Sequence, residues 1–398
     1  MRITFERSPI LSAVSIANSV VPSRTPHVVL QNVLLSTAPT DGLLVIASDT
    51  EVTASIRVPC AKIDEPGEIL LPASRFHSIL RESRDLQLRI LASDTTRAGG
   101  RAPIKLKSDG STFDIPWADP ADFPRPAMPD MTAYHAVNAG KLRDAIQRTI
   151  VASDSENSRY ALHAIAIEFD GEVISFVATD GRRAFVAGVK PTGVENGGAM
   201  VGSGVAIEEV GVATGQALLP QRAASIVARA FADSEAEVRI SVTPNSMVFT
   251  DGTTTIVARQ TEGRFPQWRQ VIPNLMDVDG ARATLVSDVV LNAIRQSSVF
   301  ADEESRGVTF SLAENVLSLN AQSETGKSSV NVPVVYGGDV ASKTLDPRYV
   351  SDFLKSVPVG STVILAPGED ETKAAFFFYG DESNPQEAYR GVVMPMSA

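Results

Sequence analysis

The stretch whose residue types and spacing come closest to a chemical site is Ala321-Gln322-Ser323-Glu324-Thr325-Gly326-Lys327-Ser328. With alanine at the first glycine position it fits a relaxed phosphate-loop pattern, in which backbone amides and a lysine hold the phosphates of a nucleotide. That chemistry needs a helix directly after the lysine, so that its N-terminal amides face the anion. Here Ser328-Ser329-Val330-Asn331-Val332-Pro333-Val334 follows. It alternates like a strand, and Pro333 does not suit a helix interior. We therefore expect a hairpin turn, with a nucleotide hydrolase acting through Lys327 as the competing class. Gly202-Ser203-Gly204 has no strand–helix frame around it, and no Gly-x-Ser-x-Gly nucleophile turn is present. Asp302, Glu303 and Glu304 read as a solvated acidic run after a helix. His27, His77, His135 and His163 lie far apart, without His-x-x-x-His spacing or a cysteine pair, so no zinc site is expected. His163 reads as a structural or rim histidine. Nothing assembles a nucleophile, a base and an oxyanion stabiliser. No catalytic residue, metal or cofactor is expected.

A second stretch has the form of a recognition element: Val177-Ala178-Thr179-Asp180-Gly181-Arg182-Arg183-Ala184-Phe185-Val186. Asp-Gly between two alternating apolar runs is a strong hairpin signal, because glycine takes positive φ without a Cβ clash. By itself this is only a turn. The chain makes a comparable turn at Ala47-Ser48-Asp49-Thr50-Glu51 and again at Ala321–Thr325, yet only the middle copy joins Thr-Asp-Gly to a double arginine.

The elements that must position these turns recur. Helical spacing predicts helices over 7–20, 73–84, 141–153, 220–232, 287–299 and 346–355. Ser8 and Pro9 open the first, while Leu71-Pro72, Leu219-Pro220 and Leu345-Asp346-Pro347 introduce the second, fourth and sixth. Strand-like runs lie between, among them Val28–Leu35, Ala164–Phe169, Val173–Ala178, Val316–Ala321 and Lys373–Tyr379. Two rounds close on Phe-Pro, at Phe123-Pro124 and Phe265-Pro266, and a proline-rich linker follows the first. Recurrence on this scale is domain duplication rather than a short solenoid repeat. The expected domains are 1–129, 130–277 and 278–398, with 191–217 a long glycine-rich loop inserted in the second.

Composition narrows the class. The 398 residues are 43% hydrophobic, enough for a large aliphatic core, and carry no apolar run of membrane length and no basic-then-apolar leader. The single Cys60 excludes an internal disulfide, fits a reducing cytoplasm and reads as a small hydrophobe at a strand end. Net charge is −11, which taken alone argues against nucleic-acid binding. The distribution says otherwise. The six helical stretches hold twelve basic and five acidic residues, a balance of +7 that leaves −18 for everything else. Helices sharing one surface would then face a polyanion while the remainder repels it.

With this threefold recurrence in view, the chain resembles the bacterial β sliding clamp family, the β subunit and processivity factor of DNA polymerase III. The resemblance runs end to end. It is carried by Arg24-Thr25-Pro26, Ser48-Asp49-Thr50-Glu51, Ala121-Asp122-Phe123-Pro124, Ser158-Arg159-Tyr160 and Ala178–Arg183, then by Gly263-Arg264-Phe265-Pro266, Ser305-Arg306-Gly307-Val308 and the terminal Val392-Val393-Met394-Pro395-Met396. It implies an α+β fold of three similar clamp domains, each with two helices packed on antiparallel sheets. Two chains would join head to tail into a six-domain ring with its helices lining the hole. The ring would encircle double-stranded DNA without reading sequence, in the cytoplasm at the nucleoid, with no catalytic activity and no membrane contact. Arg24, Arg75, Arg159 and Tyr160 are the implied DNA contacts.

The resemblance also implies a partner-peptide pocket between the second and third domains. It carries over to Leu162, to Thr179, Gly181, Arg182, Arg183 and Ala184 at the turn, and to Pro266, Val271 and Tyr349. The chain end supplies Val392, Val393, Met394, Pro395 and Met396. The implied partners are the clamp loader, the replicative polymerase subunit, repair polymerases and mismatch-repair proteins. Arg182, Ala161, Ala184, Ser305 and the Ser397-Ala398 end depart from the family pattern. They imply a more open and more basic pocket, and leave a divergent clamp paralogue serving other partners as the alternative.

Overall fold

The computed structural model describes residues 1–38, 42–60, 62–92, 96–97, 100–101, 103–125, 133–154, 161–170, 172–196, 215–232, 235–278, 280–301, 307–368, 372–384 and 386–396. Among the described residues six α-helices form: α1 (Arg7–Val20), α2 (Ala73–Glu82), α3 (Ala139–Ile150), α4 (Gln221–Ala230), α5 (Ser287–Ser297) and α6 (Pro347–Lys355). They are the six that helical spacing predicts, with ends moved by a few residues. Within these bounds the helices carry eleven basic and four acidic residues, so the balance of +7 holds. Asp346 caps α6 by accepting from the Arg348 amide, and Pro347 supplies the first helical position.

The chain divides into two compact units. The first comprises Met1–Ala139, Gly193–Val212 and Arg229–Gln260. Its five-stranded antiparallel sheet has the spatial order Thr112–Ile115, Ile104–Lys107, Gln87–Leu91, Arg2–Glu6, Lys62–Glu65. Its nine-stranded sheet runs Gly193–Asn196, Ala133–Asn138, Glu237–Val242, Ser246–Thr250, Thr254–Arg259, Val52–Pro59, Gly42–Ser48, Asn32–Ala38, Glu68–Pro72. Helix α1 buries Ile10, Ala13, Val14 and Ala17, and α2 buries Ala73, Phe76 and Leu80. A hydrogen bond of 2.9 Å between Ser15 Oγ and His77 Nε2 joins the two helices.

Two sequence expectations are corrected by the structure. Val28–Gln31 is a 3-10 turn and the strand starts only at Asn32. The reason is local: the Asn32 side-chain amide donates to the Val28 and Val29 carbonyls at 3.2 and 3.0 Å, which curls the chain that apolar content alone would extend. The 191–217 stretch is not a loop throughout. Gly193–Asn196 pairs with Ala133–Asn138, and Gly215–Pro220 pairs with Ala164–Phe169; 197–214 lies outside the described residues.

The second unit comprises Gly140–Thr192, Ala213–Ala228 and Thr261–Ala398. Its eight-stranded antiparallel sheet has the order Gly215–Pro220, Ala164–Phe169, Ile174–Thr179, Arg183–Val189, Tyr389–Val393, Ala375–Tyr379, Thr362–Ala366, Ala283–Val286. A four-stranded sheet follows the order Gly326–Pro333, Val316–Ser323, Val308–Ala313, Ala341–Leu345. The phosphate-loop-like stretch is the hairpin between its first two strands, and Lys327 sits in a strand opposite Gln322. No helix begins there, so no amides converge on a phosphate.

The large sheet is covered on both faces. On one, α6 sets Phe353 against Phe185 at 5.5 Å and stacks it on Tyr389 at 4.2 Å, and the Tyr389 hydroxyl donates to the Arg148 carbonyl of α3. On the other, the connector containing Phe265, Trp268, Ile272 and Leu275 packs on Ala184, Val186, Val392 and Phe378. Gly391 permits the first arrangement: a Cβ there would stand 2.7 Å from Phe185 and 2.9 Å from Phe353. Gly391→Ala is therefore expected to lower unfolding free energy by about 1–3 kcal/mol through overpacking, measured by urea unfolding.

Candidate functional site

The Asp180-Gly181 turn is built by its own side chains. Asp180 Oδ1 accepts from the Arg182 and Arg183 amides, each at 2.9 Å. Thr179 Oγ1 accepts from the Gly181 amide at 3.1 Å and donates to the Arg183 carbonyl at 2.6 Å. Gly181 has φ of +82°, the left-handed region in which glycine carries no Cβ penalty. The same device recurs at Thr250-Asp251-Gly252, where Asp251 Oδ1 accepts from the Thr253 and Thr254 amides and Gly252 has φ of +88°. It recurs at Ser48-Asp49-Thr50, with Asp49 Oδ1 accepting from the Glu51 and Val52 amides. The aspartate-built turn thus recurs in the fold, with Thr-Asp-Gly in two of these copies, and sequence reading missed the one at 250–252. What sets 179–183 apart is the arginine pair.

The two arginines do different things. The Arg183 side chain is 10% exposed. Its guanidinium donates to Asp180 at 3.0 Å, to Asp352 of α6 at 2.7 Å and to the Val151 carbonyl, and it lies 4.4 Å from the Tyr349 ring centroid. It ties the turn to α6 and to the end of α3. Arg182 is exposed, and its carbonyl accepts from the Met394 amide at 2.8 Å.

That bond extends a ladder in which the terminal strand pairs Val393 with Arg183 and Val392 with Ala184. Beyond it, the Met396 amide donates to the Thr344 carbonyl at 2.9 Å, so the chain end reaches from the large sheet to the four-stranded one. Strand alternation then divides the candidate residues between two faces. Arg183, Val393 and Tyr349 belong to the helix face. Ala184 and Val392 belong to the connector face, in one apolar cluster with Ala161, Phe265 and Trp268, the chain neighbours of Leu162, Pro266 and the exposed Gln267. Ala184 is itself buried. Among the candidate pocket residues, Val271, 51% exposed, and Met394, 41% exposed, are large apolar side chains left open to solvent. Arg24 and Arg75 are exposed in the first unit; Arg159, Tyr160, Ser305 and Ser397-Ala398 lie outside the described residues, as do Gly202–Gly204 and Asp302–Glu304.

One cleft of the second unit escaped sequence reading. It encloses about 290 Å³ and is lined by Asp170, Trp268, Arg269, Asn274, Asp277 and Arg390, among others. Burial, and then the charge of Arg269, push the Arg390 guanidinium down to about 10. The only signal in the sequence is an arginine placed in the apolar run Tyr389–Val393, on the same face as Val392. Among the described residues no group of histidine, cysteine or carboxylate side chains is placed to hold a metal ion, and no helix is long and apolar enough to cross a membrane.

The contrast between the arginines gives a direct test. Arg183→Ala removes the guanidinium that bridges Asp180, Asp352 and the Val151 carbonyl, and is expected to destabilise the protein by about 3 kcal/mol. Arg182→Ala should stay within about 0.5 kcal/mol of the parent. Guanidinium chloride unfolding of both variants measures the difference.

Comparison with known proteins agrees with this architecture. Residues 1–129 match the family described as DNA polymerase III beta subunit, N-terminal domain. The chain is 27% identical over 358 residues to a beta sliding clamp of Chlamydia pneumoniae, covering 89% of this chain and 90% of the relative. It is 25% identical over 400 residues to the beta sliding clamp of Pseudomonas aeruginosa, with both chains covered completely. Its fold is similar to a crystal structure of a Pseudomonas aeruginosa sliding clamp (DNA polymerase III subunit beta) bound to griselimycin, with a TM-score of 0.85, 23% identity and full coverage of both chains. Residues 1–129 thus match the N-terminal domain of the DNA polymerase III beta subunit family, and the whole chain is similar end to end to beta sliding clamps, whose fold it shares.

Proposed function

We propose that the protein is a DNA sliding clamp, an accessory subunit without catalytic activity that encircles double-stranded DNA and tethers the replicative polymerase to it. The observation that carries this reading is the charge split. A chain of net charge −11 keeps its helices at +7, and Arg75, Lys141, Arg222, Arg229, Arg295 and Lys355 on those helices are exposed. Such residues attract phosphates without reading bases, which is what a sliding ring requires. Arg24, Arg159 and Tyr160 join them in this reading. The domains are 1–129, 130–277 and 278–398, and the ring acts in the cytoplasm.

Two unfinished surfaces support a head-to-tail dimer. In the first unit, a groove of about 500 Å³ lies between the end of α2 and the edge strand Thr112–Ile115, lined by Ile79, Ser83 and the exposed Phe113. In the second, the edge strand Gly326–Pro333 adjoins the exposed Val299, and Ser328 Oγ donates to the Ser297 carbonyl at 2.7 Å. Each edge offers unpaired backbone groups, and pairing unlike edges through a two-fold axis closes a ring. The peptide pocket of this reading is built on Thr179–Ala184, Leu162, Pro266, Val271, Tyr349 and Val392–Met396, where Met394 gives an adaptable apolar surface. Clamp loader, polymerase and repair proteins are its occupants.

The dimer is expected at about twice 42.3 kDa in sedimentation equilibrium. After loading it should stay on nicked circular DNA and leave once the circle is cut. A strict monomer at micromolar concentration defeats the proposal, as does equal retention on circular and linear DNA. Arg75→Ala should weaken DNA association and lower the salt-dependence slope by about 1 per protomer. Deleting Met394–Ala398 should abolish binding of a polymerase tail peptide while the dimer persists; peptide binding that survives the deletion places the pocket elsewhere.

A further inference from the structure

The cleft beside the connector presents a charged group that the fold itself leaves uncompensated. Arg390 is 5% exposed, and its Nε has no hydrogen-bond partner. One terminal nitrogen donates to Asn274 Oδ1 at 2.5 Å, and the guanidinium lies 6.0 Å from the Trp268 ring centroid. Among the described residues no carboxylate stands within 4.0 Å of it.

The other charged groups facing the cleft are engaged. Arg269 pairs with Glu168, lies 3.9 Å from Asp170 and sits over the Trp268 ring at 4.5 Å. Asp170 Oδ1 accepts from the Glu172 and Val173 amides at 3.1 and 2.8 Å. Asp277 Oδ2 accepts from the Asn274 side-chain amide at 3.0 Å. Asn274 is therefore oriented at both ends, with its oxygen on Arg390 and its nitrogen on Asp277. A buried guanidinium without a counter-charge is unfavourable, and an anion reaching it gains a charge-assisted hydrogen bond at low local dielectric. Asp170 and Asp277 set the limit on that anion. Two carboxylates on the same cleft repel a phosphate dianion more than a single carboxylate.

We propose that this cleft is a carboxylate-binding site, in which Arg390 receives the carboxylate of a bound peptide beside the Trp268 ring. The carboxylate comes from an acidic side chain or from a chain terminus; both present the same two oxygens to the guanidinium. The site stands on Arg390, Asn274 and the cleft geometry, and it is independent of ring formation.

Trp268 supplies the readout. The chain has two tryptophans, so Trp117→Phe leaves Trp268 as the sole fluorophore in the full-length protein. At constant ionic strength, with chloride as the reference, the probes are acetate, N-acetyl-glutamate amide (side-chain carboxylate), N-acetyl-alanyl-alanine (terminal carboxylate) and inorganic phosphate. A saturable change is expected with acetate and with at least one peptide, and the peptide that binds identifies the source. Arg390→Gln should weaken that binding about tenfold or more, as expected for losing a hydrogen bond to a charged group. Asp277→Asn, an exposed change that does not threaten the core, should tighten it severalfold. The proposal is overturned if no carboxylate gives a saturable change, if Arg390→Gln binds as the parent does, or if phosphate binds more tightly than acetate. Should Arg390→Gln fail to fold, Asp277→Asn decides: no tightening overturns the assignment.

Discussion

The second unit depends on one backbone ladder, the insertion of Tyr389–Val393 between Arg183–Val189 and Ala375–Tyr379. Without it the eight-stranded sheet would be two separate pieces. The strand's alternate side chains serve two cores at once. Tyr389, Gly391 and Val393 meet the helix face, where Phe353 stacks, while Arg390 and Val392 meet the connector. Burying Val392, Val393 and Tyr389 contributes about 1.5–3 kcal/mol each. The partners are distant in sequence, so loop-closure entropy opposes the pairing until the rest of the sheet is in place. The chain end is thus both the last structural element and the one that completes the turn's surroundings. Any groove at Arg182 and Met394 exists only once folding is finished.

Scaffold and specificity separate cleanly at the turn. The aspartate-built reversal at 48–52, 179–183 and 250–254 gives the same amide contacts each time, whatever lies around it. An Asx-type turn needs only a short acceptor and a tolerant third residue: glycine in two copies, and Thr50 at φ of +79° in the other. Arg183 converts one copy from a generic turn into a joint with α6. Three hydrogen-bonded partners and an aromatic face compensate the desolvation of its guanidinium, so its burial is a source of rigidity. Arg182, next to it, has a backbone role in the ladder and a side chain in solvent. The sequence pair Arg-Arg therefore holds one structural and one surface residue.

What could be read from the sequence follows how local the determining physics is. The six helices were legible because apolar spacing and the Leu-Pro and Asp-Pro starts lie within each segment. The hairpin at 316–333 was legible because alternation and Pro333 outweigh a phosphate-loop match. Val28–Gln31 was not, because a single Asn32 side chain redirects an apolar run. The strands Ala283–Val286 and Ala341–Leu345 were not, since four or five residues carry too little pattern and their partners are distant. Of the candidate groove, the turn and the terminal residues were legible as motifs. That the sheet sends Arg183 and Ala184 to opposite faces follows from strand alternation once the strand is assigned. The Arg390 cleft unites residues from 170 to 390, and no local pattern joins them.

Arg183 and Arg390 make the strongest internal comparison in the molecule. They stand on adjacent strands of one sheet, on opposite faces, and both are largely withdrawn from water. One meets two carboxylates and a carbonyl; the other meets an amide oxygen and a ring at 6.0 Å. Desolvation is comparable, so the difference lies in compensation. Arg183 is met on each side by partners that the chain provides. For Arg390, burial and the neighbouring Arg269 both disfavour the charged form, which moves its guanidinium down to about 10. It is still protonated at neutral pH, and therefore still a cation awaiting a counter-charge. A fold that shows how completely it can satisfy one buried arginine, and leaves its neighbour facing a cleft, directs that neighbour toward an anion from outside the chain.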